Sequence, residues 1–373
     1  MFQRGALTVL RVRGVPIRLH FSVLLLVPFL AWVVAAQTAL VAEAAELPPG
    51  RLGLPGWAWG AVAAVGLLAS ITVHELAHTL VAIRHGGRVD SIVLMALGGV
   101  SQVSRMPRAP RHELQMALAG PATSLVIAAI CAAGYTFARA SPGIAFGFFL
   151  LAYLNFVLGI FNLLPAFPMD GGRVLRAALA LRWSKTRATR IAATVGKAMA
   201  LALGVFGLLG GGIWLVLIGL FVWAGASQER LYAEVQGALS DLQVGEVQNV
   251  VPQVAADDSV ERARIAMREA KATSGVVLED GEPIGVIRSN DVLAVPVHER
   301  ERERVRDHML RTVAMQTNEE LGDSFDRVLR DGEVPVVDES GRPIGVVRAG
   351  DVLRKLRERG FRFPGEPPAA DGV

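Results

Sequence analysis

The sequence predicts a polytopic α-helical membrane protein, with about six transmembrane helices and an α/β domain at its C-terminus. Three observations carry this expectation. Of the 373 residues, 52% are hydrophobic and 19% charged, where an ordinary soluble domain has about a quarter charged. Nearly all the long apolar runs fall within residues 1–228, whereas 240–360 carries the frequent Asp, Glu and Arg of a soluble domain. That second stretch also contains an internal repeat. Two parts adapted to different solvents follow.

Six segments reach or approach the ~20 apolar residues that a ~30 Å hydrocarbon layer requires. They are 18–39, 57–83, 115–138, 143–164, 191–209 and 212–226, the last two joined by a tight turn at Gly210, Gly211 and Gly212. The first has the basic start of a secretory signal, but its apolar stretch is long for one and reads as a span. Basic residues gather at Arg4, Arg11, Arg13 and Arg18, at Arg84, Arg88, Arg105, Arg108 and Arg111, and at Arg182, Lys185, Arg187 and Arg190. These groups fall on one side if the spans alternate, and the opposite loops 40–56 and 139–142 contain only Arg51 and Arg139. The positive-inside rule therefore expects a multi-pass protein of the cell membrane with its N-terminus and C-terminal domain in the cytosol.

The net charge of +4, placed largely in such loops, argues against a nucleic-acid partner. The single cysteine, Cys131, lies in an apolar run and excludes both an intrachain disulfide and a Cys-rich zinc site.

Residues Glu279-Asp280-Gly281-Glu282-Pro283-Ile284-Gly285-Val286-Ile287-Arg288 recur as Glu339-Ser340-Gly341-Arg342-Pro343-Ile344-Gly345-Val346-Val347-Arg348, at a constant offset of 60 (339 − 279). Each copy runs into Asp-Val-Leu, at Asp291 and Asp351. The pattern reads as strand, Gly-containing turn, strand and helix, with each Asp near the helix start. The expected organisation is a transmembrane domain over 1–228, a linker at 229–241, repeats at 242–297 and 305–357, and a flexible tail at 358–373. The intervening run His298-Glu299-Arg300-Glu301-Arg302-Glu303-Arg304 reads as a solvated helix with opposite-charge neighbours.

The chemistry lies in the second span, which ends Ile71-Thr72-Val73-His74-Glu75-Leu76-Ala77-His78-Thr79-Leu80. On a helix His74 and His78 share a face and can reach one metal ion. Glu75 projects beside them, where a carboxylate can take a proton from the attacking water. Three ionisable residues within five apolar-span positions are expensive unless they serve a site. A zinc ion with two His ligands needs one more protein ligand and an open position.

The fourth span ends Asn162-Leu163-Leu164-Pro165-Ala166-Phe167-Pro168-Met169-Asp170-Gly171-Gly172-Arg173, and Asp170 is the only acid between Glu113 and Glu229. Pro165 and Pro168 deny a continuous helix there. His78 and His74 lie six and ten residues before Arg84, so about 9–15 Å inside the cytosolic end at ~1.5 Å per residue. Asp170 arrives near the same face, either as the third ligand or as a loop aspartate paired with Arg173.

His-Glu-Leu-Ala-His in a membrane helix, followed by Asn-Leu-Leu-Pro-Ala-Phe-Pro-Met-Asp-Gly-Gly, resembles the site-2 protease family of intramembrane zinc metalloproteases (peptidase family M50). Gly120-Pro121 matches that family's pattern as well. The resemblance implies one Zn2+ per chain held by His74, His78 and Asp170, Glu75 as general base, and support near the scissile carbonyl from Asn162 and Asn155. Met169 replaces the family's usual Leu, and Ser124 stands where Asn is common. The apolar stretch Val89–Val103 is too short to cross twice and reads either as a hairpin whose edge pairs with an unwound substrate or as an amphipathic surface segment.

The C-terminal repeat resembles a tandem pair of CBS domains. That resemblance implies an adenine nucleotide with Asp291 or Asp351 on its ribose, or a purely dimerising module. Arg288 and Arg348 replace the family's usual Thr and could meet phosphate or fill the site.

The expected activity is hydrolysis of peptide bonds within or near the membrane segment of a single-span protein such as an anti-sigma factor. The site would open to the cytosol, membrane lipid would surround the spans, and the CBS pair would adjust access or hold a homodimer. Two other readings stay open: a transporter or channel gated by the CBS pair, and a pseudoprotease that binds membrane clients without cutting them.

Overall fold

The computed structural model describes residues 6–95, 98–105 and 109–361. Most of the tail expected at 358–373 lies outside the described residues. The chain divides into two compact units, Met1–Ala233 and Glu234–Val373.

The first unit opens with β1 (Ala6–Val12) and β2 (Val15–His20), which precede α1 (Val23–Ala44) and α2 (Gly56–Arg84). Then come β3 (Arg88–Met95), β4 (Gly98–Arg105), α3 (Pro110–Phe137), α4 (Pro142–Asn162), α5 (Asp170–Leu179), α6 (Lys185–Phe206) and α7 (Ile213–Ser240). The strands form one sheet in the order β1-β2-β3-β4, antiparallel at both hairpins and parallel between β2 and β3. Stretch 89–103 is thus a hairpin with β4 at a sheet edge. The first span starts later than the apolar run suggests because 6–20 is a hairpin. Arg13 and Gly14, both at positive φ, turn the chain in the way two-residue hairpin loops require.

Among the described residues five helices are long and apolar enough to cross a membrane: α1, α2, α3, α4 and Lys185–Gly211. Pro110 and Pro142 stand in the first turns of α3 and α4, where the missing N–H costs no helical bond. The sixth predicted segment is the apolar start of α7. Its apolar part, Ile213–Ala226, covers about 21 Å at 1.5 Å per residue, and the helix continues unbroken to Ser240, so the whole helix exceeds the hydrocarbon thickness. Between α6 and α7 the expected glycine turn is present, with Gly210 and Gly212 at φ 123° and 94°.

The second unit holds β5 (Gln253–Ala255), α8 (Val260–Glu269), β6 (Ser274–Glu279), β7 (Glu282–Arg288), α9 (Ser289–Ala294), α10 (Val305–His308) and β8 (Leu310–Arg311). It ends with β9 (Met315–Gln316), α11 (Leu321–Asp331), β10 (Glu333–Val337), β11 (Pro343–Arg348) and α12 (Ala349–Glu358). Both repeats are strand, turn, strand, helix: β6-β7-α9 and β10-β11-α12. Each has its own apolar core. One is built around Val254, Val260, Val277 and Ile287, the other around Val334, Val336, Val347 and Leu356.

Segment 298–304 corrects an expectation, since it forms turns and not a helix. The alternating Glu and Arg put opposite charges at adjacent positions but like charges four apart, Glu299 with Glu303 and Arg300 with Arg304. A helix would stack those like charges four apart while pairing opposite ones three apart, such as Glu299 with Arg302, so the charge pattern gives it no net support.

Candidate metal centre

Helix α2 puts His74 and His78 on one face, a turn apart, with ring centroids 4.8 Å from each other. The chain leaves α4 through Leu163–Met169, turns at Pro165 and the cis Phe167–Pro168 bond, and enters α5 with Asp170 in its first turn. The two glycines that follow let this loop fold tightly. A Cβ on Gly171 would overlap the carbonyl oxygens of Leu163 and Leu164, and one on Gly172 would lie 2.7 Å from Ala166 C.

The loop delivers the carboxylate to the imidazoles. Asp170 Oδ2 lies 3.1 Å from His74 Nε2 and 3.1 Å from His78 Nε2, and the two Nε2 atoms are 3.1 Å apart. Among the described residues these three side chains form the one group of His, Cys, Asp or Glu able to share a metal ion. Four ligands at ~2.0–2.1 Å in a tetrahedron stand about 3.3 Å apart, so the observed triangle fits zinc within a few tenths of an ångström.

Helix α3 sets the ring orientation. His78 Nδ1 donates to the Met116 carbonyl at 2.6 Å, which fixes the proton on Nδ1 and leaves the Nε2 lone pair for a metal. His74 Nδ1 lies 2.9 Å from Ser124 Oγ. The serine that departs from the family's usual Asn therefore still supplies a hydrogen bond to the first histidine. Gly120 of the same helix faces both rings. A Cβ there would clash with His78 Nε2 and come within 2.5 Å of His74 Nε2, so only glycine leaves room for the ligands and an ion.

Glu75 faces the sheet. A Cβ on Gly99 of β4 would overlap its side chain and sit 3.1 Å from Oε1. The edge strand's backbone thus passes directly beside the expected general base.

The two asparagines are placed differently. Asn155 is fully buried on α4 and donates to Ser70 Oγ and the Leu151 carbonyl, each at 2.9 Å. Ser70 is one turn before His74, so this pair lies a turn deeper than the ligands. Asn162 donates to Leu158 O at 2.9 Å. Neither of these hydrogen-bond sets reaches His74, His78 or Asp170.

In the second unit both aspartates are engaged. Asp291 accepts from the Arg288 amide at 3.0 Å and faces the Arg288 guanidinium at 3.5 Å. Asp351 accepts from Asn249 at 2.5 Å and from Arg354 at 3.0 Å. Arg348 donates to Ser274 Oγ at 2.7 Å and pairs with Glu333 at 3.2 Å.

Sequence reasoning did not single out Gly99, the Met116 carbonyl or Arg176. The Gly98-Gly99 pair inside an apolar hairpin signals close backbone approach. A backbone acceptor such as Met116 leaves no side-chain signature at all.

Comparison with known proteins identifies the family of the chain. Residues 62–142 and 136–203 match the family model described as Peptidase family M50, and 244–298 and 305–358 match the CBS domain. A zinc metalloprotease of Methanocaldococcus jannaschii is 30% identical over 93% of this chain and 94% of its own. Rip3 of Mycobacterium tuberculosis is 32% identical over 95% of this chain and 93% of its own. Among solved structures, the site-2 protease from Methanocaldococcus jannaschii is 34% identical, covers 60% of this chain and 95% of its own, and aligns with a TM-score of 0.42.

A polytopic membrane fold with a His-Glu-x-x-His helix and an aspartate from a second segment defines an intramembrane zinc metalloprotease. The chain belongs to peptidase family M50 and carries a tandem pair of CBS domains.

Proposed function

We propose that the chain cleaves single-span membrane proteins, such as membrane-tethered anti-sigma factors, at a zinc centre made by His74, His78 and Asp170. The observation that carries this reading is the 3.1 Å triangle of two imidazole nitrogens and one carboxylate oxygen with Glu75 next to it in sequence. Zinc held there supplies Lewis acidity, polarising the scissile carbonyl and acidifying the attacking water. Ser124 and Met116 keep the imidazoles oriented through their Nδ1 atoms. Glu75 takes the proton from the attacking water and returns it to the leaving amine. The edge of β4 pairs with an unwound substrate segment, because a strand edge offers backbone groups to an extended peptide. Asn162 and Asn155 act as support, with Asn155 holding α4 against α2 through Ser70.

The arginine-rich loops support an orientation with the N-terminus, the site's opening and the CBS pair on the cytosolic side. Water reaches Glu75 from that side. The CBS pair adjusts substrate access or holds a homodimer. An adenine nucleotide binding there would take Asp351 from Asn249, or Asp291 from the Arg288 side chain, with the arginines turning to its phosphates.

The test is cleavage of a panel of single-span substrates by purified wild-type and Glu75→Gln protein, with bound zinc quantified in both. Cleavage lost while zinc is retained supports the reading. Equal cleavage by both, or a wild type that binds no zinc, overturns it.

A further inference from the structure

Helix α5 is ten residues long, Asp170–Leu179, and carries the carboxylate of the ligand triangle at its start. So short a helix has little stability of its own; it holds Gly171 and Gly172 in its first turn, and the loop before it is interrupted by Pro165 and Pro168. Something must fix its position for Asp170 Oδ2 to stand equally far from two imidazoles.

Arg176 does this. Its Nε donates to Glu113 Oε1 at 2.8 Å and its Nη2 reaches the same oxygen at 2.5 Å. Its Nη1 pairs with Glu229. Glu113 belongs to the first turn of α3, the helix that orients both histidines, and Glu229 belongs to α7. The Arg176 and Glu113 side chains are only 8% and 9% exposed. The guanidinium also lies over the Phe167 ring, 5.3 Å from its centroid, and Phe167 packs with Ala192, Ala193 and Ala226. Helix α7 touches the same loop again at Gly225, where a Cβ would fall 2.9 Å from Pro168 N.

One guanidinium therefore joins α5 to α3, to α7 and to the loop ahead of Asp170, about 9 Å along the helix from the ligand. A buried ion pair contributes little net stability compared with apolar packing, and its best-attested use is to fix one arrangement over others.

We propose that Arg176, clamped by Glu113 and Glu229, is the positioning residue for the zinc ligand Asp170. It sets where α5 begins and so where the carboxylate meets His74 and His78. This rests on the zinc-site reading above.

The experiment is zinc affinity of the full-length protein in detergent, by competition with a chromophoric chelator, in two backgrounds. Arg176→Gln weakens zinc about tenfold, the lower end of what losing a direct partner of a metal ligand costs, because Arg176 acts on Asp170 only through α5. In the Asp170→Asn background the same change costs less than about twofold, because residues acting through one another are not additive. Arg176→Lys, which keeps the charge but loses the fork, falls between. Should Arg176→Gln fail to fold through its uncompensated Glu113, Glu229→Gln serves in the same cycle, with an expected loss of about two- to fivefold in the native background only. A merely structural role predicts a lowered unfolding temperature with zinc affinity unchanged, or equal losses in both backgrounds. Either result overturns the proposal while leaving the zinc site intact, whereas a wild type that binds no zinc overturns both.

Discussion

The backbone of Gly99 lies against the side chain of Glu75, so close that any Cβ at position 99 would occupy the space of the carboxylate arm, 2.9 Å from Cδ. An edge strand and the proposed general base therefore share one wall of the site. Gly99→Ala should push Glu75 aside without touching the ligands. Displacement of a catalytic group by ~1 Å costs about 100-fold in rate. The expected outcome is a kcat lowered by about that factor with zinc content unchanged, read from substrate cleavage and metal analysis on the same preparation.

Gly120→Ala should have the opposite signature. Its methyl group would enter the space between the two Nε2 atoms, so zinc content itself should fall to near zero and cleavage with it. Metal analysis separates the two glycines: retention in one and loss in the other.

Ser124→Ala removes the partner of His74 Nδ1. Loss of such an outer partner costs about 10–100-fold in metal affinity. Ser124→Asn, which can also bond the ring, should recover much of that loss in a chelator competition.

Removal of zinc by dialysis against a chelator should abolish cleavage, and stoichiometric zinc should restore it. A chain that cleaves equally well after removal would remove His74, His78 and Asp170 from the mechanism.

In the second unit, hydrogen bonds from the Ser340 hydroxyl and the Arg342 amide hold the Asp338 carboxyl at about 2. Its folded value lies below the unfolded one, so the contribution of this turn to stability is present above pH ~4. It declines as pH falls toward 2. Asp338→Asn should flatten that part of the acid unfolding curve, followed by circular dichroism.

Much of the site was legible before any coordinates. The spacing of His74 and His78 is a helical turn, and the depth argument brought Asp170 to the same face. The tandem repeat was legible because each copy is a self-contained strand-turn-strand-helix unit with its own turn residues. Hairpin β1–β2 was not, because Arg11, Arg13 and Arg18 read as the basic flank of a span that begins at 18, and the apolar residues around Leu19 run on into α1. Segment 298–304 reads as a helix from its opposite-charge neighbours, which the like charges four apart offset. Arg176 was invisible because its partners, Glu113 and Glu229, lie 63 and 53 residues away, and nothing local marks an arginine as buried.

The distance in sequence between the proposed ligands has a bearing on how the molecule comes into being. His74 and Asp170 are 96 residues apart, and the groups that orient the imidazoles come from α3, between them. As the chain emerges from the ribosome, the histidine helix enters the membrane long before α5 exists. On the proposed zinc site, no competent metal centre can form until then, and the growing polypeptide passes its neighbours in the bilayer unarmed. A chain truncated before Asp170 would remain so, whatever zinc the cell supplies.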